Sequence, residues 1–366
     1  MANKFSYGTL AKGEFFTDRK DELLRMKQFL NSENHLVLIS PRRYGKSSLV
    51  KKCVEEVKRP YIWIDMQYVV SIASFTTQLL KAILTQYPME RLRYELRHFR
   101  IIPTITLNPI TNECQFGFQP SETADNTMLE DVLALLEKLS TPQKKLVVVF
   151  DEFQEILKIS KNFDKQLRSI IQLQTGLNYI FLGSQEGMML EIFERKKSPF
   201  YHFGGLMRLN KIPYEDFYQF VLKRLPDTPD KEKTTREILS FSSCHPYYTQ
   251  QLAFEVSNQI EVNAVQENVV DQAIQAVLQA HDLDYERLWE NFNNTDKSTL
   301  LQLSNNENPL NNKNIAVSTA FSSLKRLVKS GVIVRTKEYV LEDPFFCEWL
   351  KIKQNPLRQF SLRTFS

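Results

Sequence analysis

The stretch that decides the fold runs from His35 to Val50, HLVLISPRRYGKSSLV. Its opening residues, His35 to Ile39, form a short apolar run bounded by polar residues, the pattern of a strand buried on both faces of a parallel sheet. From about Gly45 a helix is expected, with Leu49, Val50, Cys53, Val54 and Val57 on one face. Between the two lies Ser40-Pro41-Arg42-Arg43-Tyr44-Gly45-Lys46-Ser47. The unpaired amides of a helix N-terminus, here those of Tyr44 to Ser48, attract phosphate, and Gly45 lets the backbone come close. Lys46 would place its charge on the β and γ phosphates and Ser47 would ligate Mg2+. The usual pattern, GxxxxGK[ST], has glycine where this chain has Ser40. Strand before and helix after supply the context that separates a P-loop from an accidental basic turn.

A P-loop calls for an acid at the end of a buried neighbouring strand. Leu146 to Phe150, LVVVF, runs directly into Asp151-Glu152. Asp151 would hold Mg2+ through water, and Glu152 would polarise the attacking water as the catalytic base. The competing reading is a pair of acids capping the next helix. A further strand, Asn178 to Gly183, leads into Ser184-Gln185, where Ser184 could sense the γ-phosphate or simply start a turn.

Outward from these strands, helix and strand alternate. Helices are expected at Asp21 to Leu30, Phe75 to Thr85, Asp125 to Leu139 and Phe163 to Gln174, and another strand at Tyr61 to Asp65. The alternation favours a parallel sheet covered on both faces, an α/β P-loop fold. A β-hairpin is expected as an insertion near 101–118. From about Pro213 strands vanish, and helices follow at Tyr214 to Leu225, Lys231 to Phe241, Pro246 to Ile260 and Ala264 to His281. After Tyr285, helices ending in Ser318 to Lys329 precede two short runs, VIVR and EYVL, joined at Thr336-Lys337; this order reads as a winged helix-turn-helix. The expected domains are therefore 1–210, the nucleotide domain; 211–284, helical; 285–350, the winged helix; and 351–366, a basic tail.

With 366 residues, the chain is long enough for two to three domains at roughly 150 residues each. Its 42% hydrophobic and 25% charged residues and only 10 glycines are globular composition and exclude a low-complexity chain. A net charge of +4 is too mild for a nucleic-acid packaging protein, so basic surface must be local. Such a cluster occurs at Lys313, Lys325, Arg326, Lys329, Arg335 and Lys337. A helix face of Lys325, Arg326 and Lys329, with Leu324, Leu327 and Val328 turned inward, could contact nucleic acid or serve packing within the protein. Cys53, Cys114, Cys244 and Cys347 stand far apart without a CxxC pair, which suggests neither zinc site nor disulfide framework. With no signal-like segment and no long apolar span, a cytoplasmic protein without a membrane partner is expected.

PRRYGKSSL, VVVFDEFQEI, LGSQEG, SPFY and HPYYTQQL, in this order and spacing, resemble the archaeal-type P-loop ATPases of the STAND branch of the AAA+ superfamily, which also occur in bacteria. FFTDRKDEL, Phe15 to Leu23, is similar to that family's N-terminal signature, and the final GVIVRTKEYVLEDPFFCEWL to its closing winged helix. The resemblance implies ATP or ADP with Mg2+, clamped between the sheet domain and a helical lid, with the winged helix reporting nucleotide state. By the same carry-over Phe16, Asp18 and Arg19 flank the base and Pro246 closes the pocket.

Three positions depart from the family. Ser40 replaces a glycine, Cys244 stands where glycine tends to precede His-Pro, and Pro199-Phe200-Tyr201-His202-Phe203 lacks the family's arginine. A γ-phosphate arginine would have to be Arg208, Arg43, or one supplied by a protein partner or a second copy. The expected activity is slow, Mg-dependent ATP hydrolysis by a switch protein; the alternatives are a nucleotide-regulated DNA-binding protein and a scaffold that holds nucleotide without turnover.

Overall fold

The computed structural model describes residues 3–100, 104–107, 114–117, 122–263, 268–312 and 315–354. They form two compact units. The first, the sheet unit, comprises Lys20–Ser40 and Lys46–Leu209. The second comprises the described parts of Met1–Arg19, Pro41–Gly45 and Asn210–Ser366.

In the sheet unit the chain runs through α1 (Lys20–Leu30), β1 (Leu36–Ile39), α2 (Lys46–Glu56), β2 (Tyr61–Asp65), α3 (Ile72–Gln86), α4 (Met89–Leu96), β3 (Thr104–Leu107), β4 (Cys114–Gly117) and α5 (Glu122–Leu139). It continues through β5 (Leu146–Asp151), α6 (Ile156–Ile159), α7 (Phe163–Ile171), β6 (Leu177–Gly183), α8 (Glu186–Glu194) and β7 (Gly205–Arg208). Five strands make one parallel sheet in the order β2-β5-β6-β1-β7. All residues of β1 and β6 are buried, as expected where helices cover both faces. The core joins strand residues Val148, Phe150 and Phe181 to Phe75 and Leu79 of α3, Leu136 of α5 and Leu167 of α7. The hairpin expected near 101–118 is present as the antiparallel pair β3–β4, and its remaining residues lie outside those described.

Two expectations are corrected by the sheet. The acid-bearing strand β5 is not the neighbour of β1, because β6 lies between them. At about 4.8 Å per strand, some 9–10 Å separate the two backbones, which must be bridged from the helix that follows the P-loop. The sheet also has a fifth strand, β7, absent from the sequence reading. Gly205 opens it: a Cβ there would fall 2.3 Å from the Phe29 ring, so glycine admits the α1 aromatic against the edge strand.

The second unit contains α9 (Tyr214–Arg224), α10 (Lys231–Ser242), α11 (Pro246–Asn263), α12 (Val269–Glu290), α13 (Asn294–Ser304), α14 (Val317–Ser330), β8 (Ile333–Arg335), β9 (Tyr339–Leu341) and α15 (Pro344–Gln354). A single apolar core runs from Phe5 through Phe217, Leu252 and Leu278 to Leu324, Phe345 and Trp349. Helix α12 continues across positions 284 and 285. Along α14, Ala320, Ser323, Leu324 and Leu327 are buried at helical spacing, and Lys325, Arg326 and Lys329 are exposed. Val328, expected to face inward, is instead 38% exposed, because the buried stripe closes with Leu327. Lys313 and residues 355–366 of the expected basic tail lie outside the described residues.

Candidate nucleotide site

In the sheet unit the sequence-predicted residues meet at the C-terminal ends of the strands, where ligands bind in open α/β sheets. Helix α2 begins at Lys46, whose ammonium turns back to the Ser40 carbonyl at 2.8 Å and the Ser40 hydroxyl at 3.3 Å. The serine that replaces the usual glycine thus gives the lysine a side-chain partner. Ser48, two residues further on, is buried.

Ser47 spans the gap left by β6, donating its hydroxyl to Asp151 Oδ2 at 3.1 Å. The other oxygen, Asp151 Oδ1, accepts the backbone N–H of Glu152 at 3.0 Å. Burial raises the Asp151 carboxyl above the usual carboxylate range, the adjacent Glu152 charge adds to this, and Ser47 and Lys46 oppose it. A cation placed here would relieve that destabilisation.

Glu152 sits in the left-handed region, φ 50° and ψ 46°, and its side chain makes no capping bond to the turn that follows. Its carboxylate is used sideways instead: Oε2 accepts hydrogen bonds from the Ser184 hydroxyl and from Gln154 Nε2. Gln154 is fully buried, and its Oε1 has no hydrogen-bond partner among the described residues. Sequence reading passed over it; the only local signal was a polar residue two positions after the paired acids. Gly183 closes the arrangement, since a Cβ there would lie 2.2 Å from Met189 Cγ and 2.9 Å from Gln154 Oε1.

The second unit holds the remaining predicted residues. Phe16 is half-buried and ends a short turn, and Asp18 and Arg19 follow with φ of 42° and 68°. Arg19 is buried and donates to the Tyr44 carbonyl at 3.3 Å. Arg43 and Gly45 also have positive φ, 66° and 87°. The Arg43 guanidinium lies 4.3 Å from the centre of the Tyr247 ring and donates to the Tyr248 hydroxyl at 3.3 Å. Pro246 opens α11, directly after the fully buried His245.

His245 is a helix cap with a second partner. Its Nδ1 accepts the backbone N–H of Tyr247 at 3.2 Å, so the proton belongs on Nε2, which lies 3.0 Å from Glu342 Oε1 and donates to it. Burial lowers the imidazole pKa, and Glu342 offsets part of that. Cys244, where the resemblance expects glycine, has φ 56°, and Ser243 before it has φ 49°. Left-handed backbone at both positions is the physical reason glycine suits the place. Of the two arginines considered for the γ-phosphate, Arg208 pairs with Glu186 at 2.8 Å and Arg43 is engaged by the tyrosines.

Among the described residues no group of three or more His, Cys, Asp or Glu is placed to hold a metal by itself, and no helix is long and apolar enough to cross a membrane. A family whose description is an ATPase domain predominantly from Archaea matches residues 16–252. The chain belongs to that ATPase family. Comparison of this ATPase with the curated proteins finds no match. Among solved structures it is similar to the Walker-type ATPase of Pyrococcus abyssi, with TM-score 0.63 and 18% identity over 93% of this chain and 98% of that one. The ORC2 protein of Aeropyrum pernix, solved as ADPNP-ADP complexes, gives TM-score 0.56 at 13% identity over 99% and 100%. The Aeropyrum pernix ORC1 protein, solved in complex with DNA, gives 0.51 at 12% over 95% and 95%. At these identities the likeness to solved structures is one of fold: this ATPase has the α/β P-loop architecture.

Proposed function

We propose that this chain is a Mg-dependent switch ATPase of the STAND type, with a nucleotide domain over 1–210, a helical lid over 211–284, a winged helix over 285–350 that reads the nucleotide state, and a basic tail over 351–366. The observation that carries the reading is the unbroken polar line Ser47–Asp151–Glu152–Ser184, beside Lys46, at the strand ends of the sheet unit. Ser47 Oγ and Asp151 Oδ2 are hard oxygen donors within reach of each other. That suits Mg2+, which keeps few protein ligands and takes the rest from phosphates and water. In this reading Lys46 leaves Ser40 for the phosphates of ATP or ADP, and the amides of Tyr44 to Ser48 complete the cradle. Phe16, Asp18, Arg19 and Pro246 serve the base.

Ser47 and Asp151 would hold Mg2+, which when bound would supply charge at the transferring phosphate, and Lys46 adds its own. Glu152 orients and deprotonates the attacking water, with its carboxylate aimed by Ser184 and Gln154. Both candidate arginines are engaged within the protein, so turnover is slow unless a protein partner or a second copy contributes one. Soluble action in the cytoplasm fits this role.

The test is thermal. Saturating MgATP at 100 times its dissociation constant should stabilise the wild type by about 2.7 kcal/mol. Lys46→Ala should lose that shift; an equal shift in both proteins would remove the phosphate assignment.

A second reading, nucleotide-regulated DNA binding, is favoured by the exposed Lys325 and Lys329 on α14 and by the DNA in the ORC1 structure. Arg326 is set apart from that reading because it pairs with the buried Asp296 at 2.7 Å.

A further inference from the structure

Two consecutive residues of the phosphate loop, Arg43 and Tyr44, are reached by two consecutive acids, Glu342 and Asp343, through two residues one turn apart at the start of α11. On one side Arg43 donates to the Tyr248 hydroxyl at 3.3 Å, and Tyr248 stands beside Asp343. Asp343 Oδ1 also caps α15, accepting the backbone N–H groups of Phe345 and Phe346 at 2.8 and 3.1 Å, and its Oδ2 accepts from Tyr285 at 3.3 Å. On the other side the Tyr44 ring meets the His245 ring edge-on at 4.9 Å, and His245 donates to Glu342. Glu342 in turn donates its backbone N–H to the Val332 carbonyl at 3.0 Å, which fixes it to the β8–β9 hairpin. Both lines therefore end on the dipeptide that joins β9 to α15.

The loop needs such support. Arg43 has φ 66°, a conformation a non-glycine residue keeps only when its surroundings over-determine it. Tyr247 under the guanidinium and Tyr248 against its edge are that surrounding, and Asp343 holds Tyr248.

We propose that Glu342 and Asp343 are positioning residues for the phosphate loop, holding Arg43 and Tyr44 ready for nucleotide through Tyr248 and His245. The proposal rests on the P-loop reading above and adds to it a specific dependence of nucleotide affinity on the β9–α15 junction. Holding a binding loop in its bound conformation reduces the ordering cost of binding, so loosening the network weakens affinity.

The experiment is a double-mutant cycle on the full chain, reading the MgATP and MgADP dissociation constants by calorimetry. Asp343→Asn keeps an oxygen that can cap α15 but removes the charge; Tyr248→Phe keeps the ring and removes the hydroxyl. Each should weaken nucleotide binding by roughly 3- to 30-fold, and by less than about twofold in an Arg43→Ala background. A merely structural role would give the same loss in both backgrounds, and that result, unchanged affinity, or tighter binding would each overturn the proposal. Should Asp343→Asn fail to fold, Tyr248→Phe carries the cycle alone. Wild type that binds nucleotide with dependence on Lys46 while the cycle is additive leaves the P-loop reading intact and defeats only this inference. Wild type that binds neither nucleotide defeats both.

Discussion

Glu152 is held in left-handed backbone at the end of β5, and its carboxylate is gripped by Ser184 and Gln154 rather than spent on a helix cap. Strain of this kind costs of order 1–3 kcal/mol and persists where the site requires it. Glu152→Gln should bind ATP within about twofold of wild type, yet lose roughly 10²–10⁴ in turnover, read by single-turnover phosphate release. Wild-type turnover in that variant would place the base elsewhere. His35 offers a second measurement. Its Nδ1 accepts the Tyr179 N–H at 3.3 Å, and burial, helped by the Arg168 charge, pushes its pKa from 6.5 down to about 4. The folded state therefore prefers neutral imidazole: the contribution is complete above pH 6.5 and is lost as pH falls toward 4, about 3 kcal/mol in all. Urea midpoints across that window should fall less steeply for His35→Gln; an identical slope would assign the acid sensitivity to other groups. The acids and the lysine were legible because their meaning is local, an apolar run ending in charge. Gln154, Glu342 and Asp343 were not, because each acquires its role from a partner that only the fold supplies.

At the level of elements, long apolar strands and strongly periodic helices could be read directly, as β5 and α5 show. The edge strand β7 could not: four residues beginning in glycine carry no alternation, and what fixes them is the parallel pairing with β1, with Gly205 leaving room for the Phe29 ring. Helix α14 shows the same limit, since its exposed charges follow from spacing whereas the commitment of Arg326 to Asp296 does not. That pair changes what DNA binding would look like. With Arg326 engaged, Lys325 and Lys329 remain as phosphate contacts, so Lys325→Ala with Lys329→Ala should flatten the log-log salt dependence of DNA affinity by about 1.8. A salt series with ATP and with ADP decides the matter. Unchanged slopes would exclude α14 as the DNA face, and a change independent of nucleotide would separate DNA binding from switching.

Over the whole molecule, the chain's early residues belong to a core completed much later. Phe5 is 2% exposed, meets Phe220 edge-on at 6.4 Å, and shares one apolar cluster with α9 to α15. Asn3 reinforces it, donating to the Phe254 carbonyl at 3.0 Å and to Asn258 at 2.8 Å. Phe5→Ala should cost about 3–5 kcal/mol, and hydrogen exchange should report it as lost protection in α9 and α11 while β5 and β6 keep theirs. Protection lost equally in the central strands would show that the cores do not open separately. The N-terminal segment and the phosphate loop group with the later helices because packing, unlike pattern, ignores chain order.

The strand order carries a consequence for synthesis. Among the described residues, strand β1 pairs with β6 and β7 alone, and β2 with β5 alone. As the chain leaves the ribosome at about 5–20 residues per second, β1 waits roughly 7 to 28 seconds for its first partner to be made. Throughout that interval LVLI is an apolar segment with open edges, and the phosphate loop beside it lacks its contacts with His245, Tyr247 and Tyr248. Nascent chains of this protein should thus depend on holding chaperones until β6 has emerged.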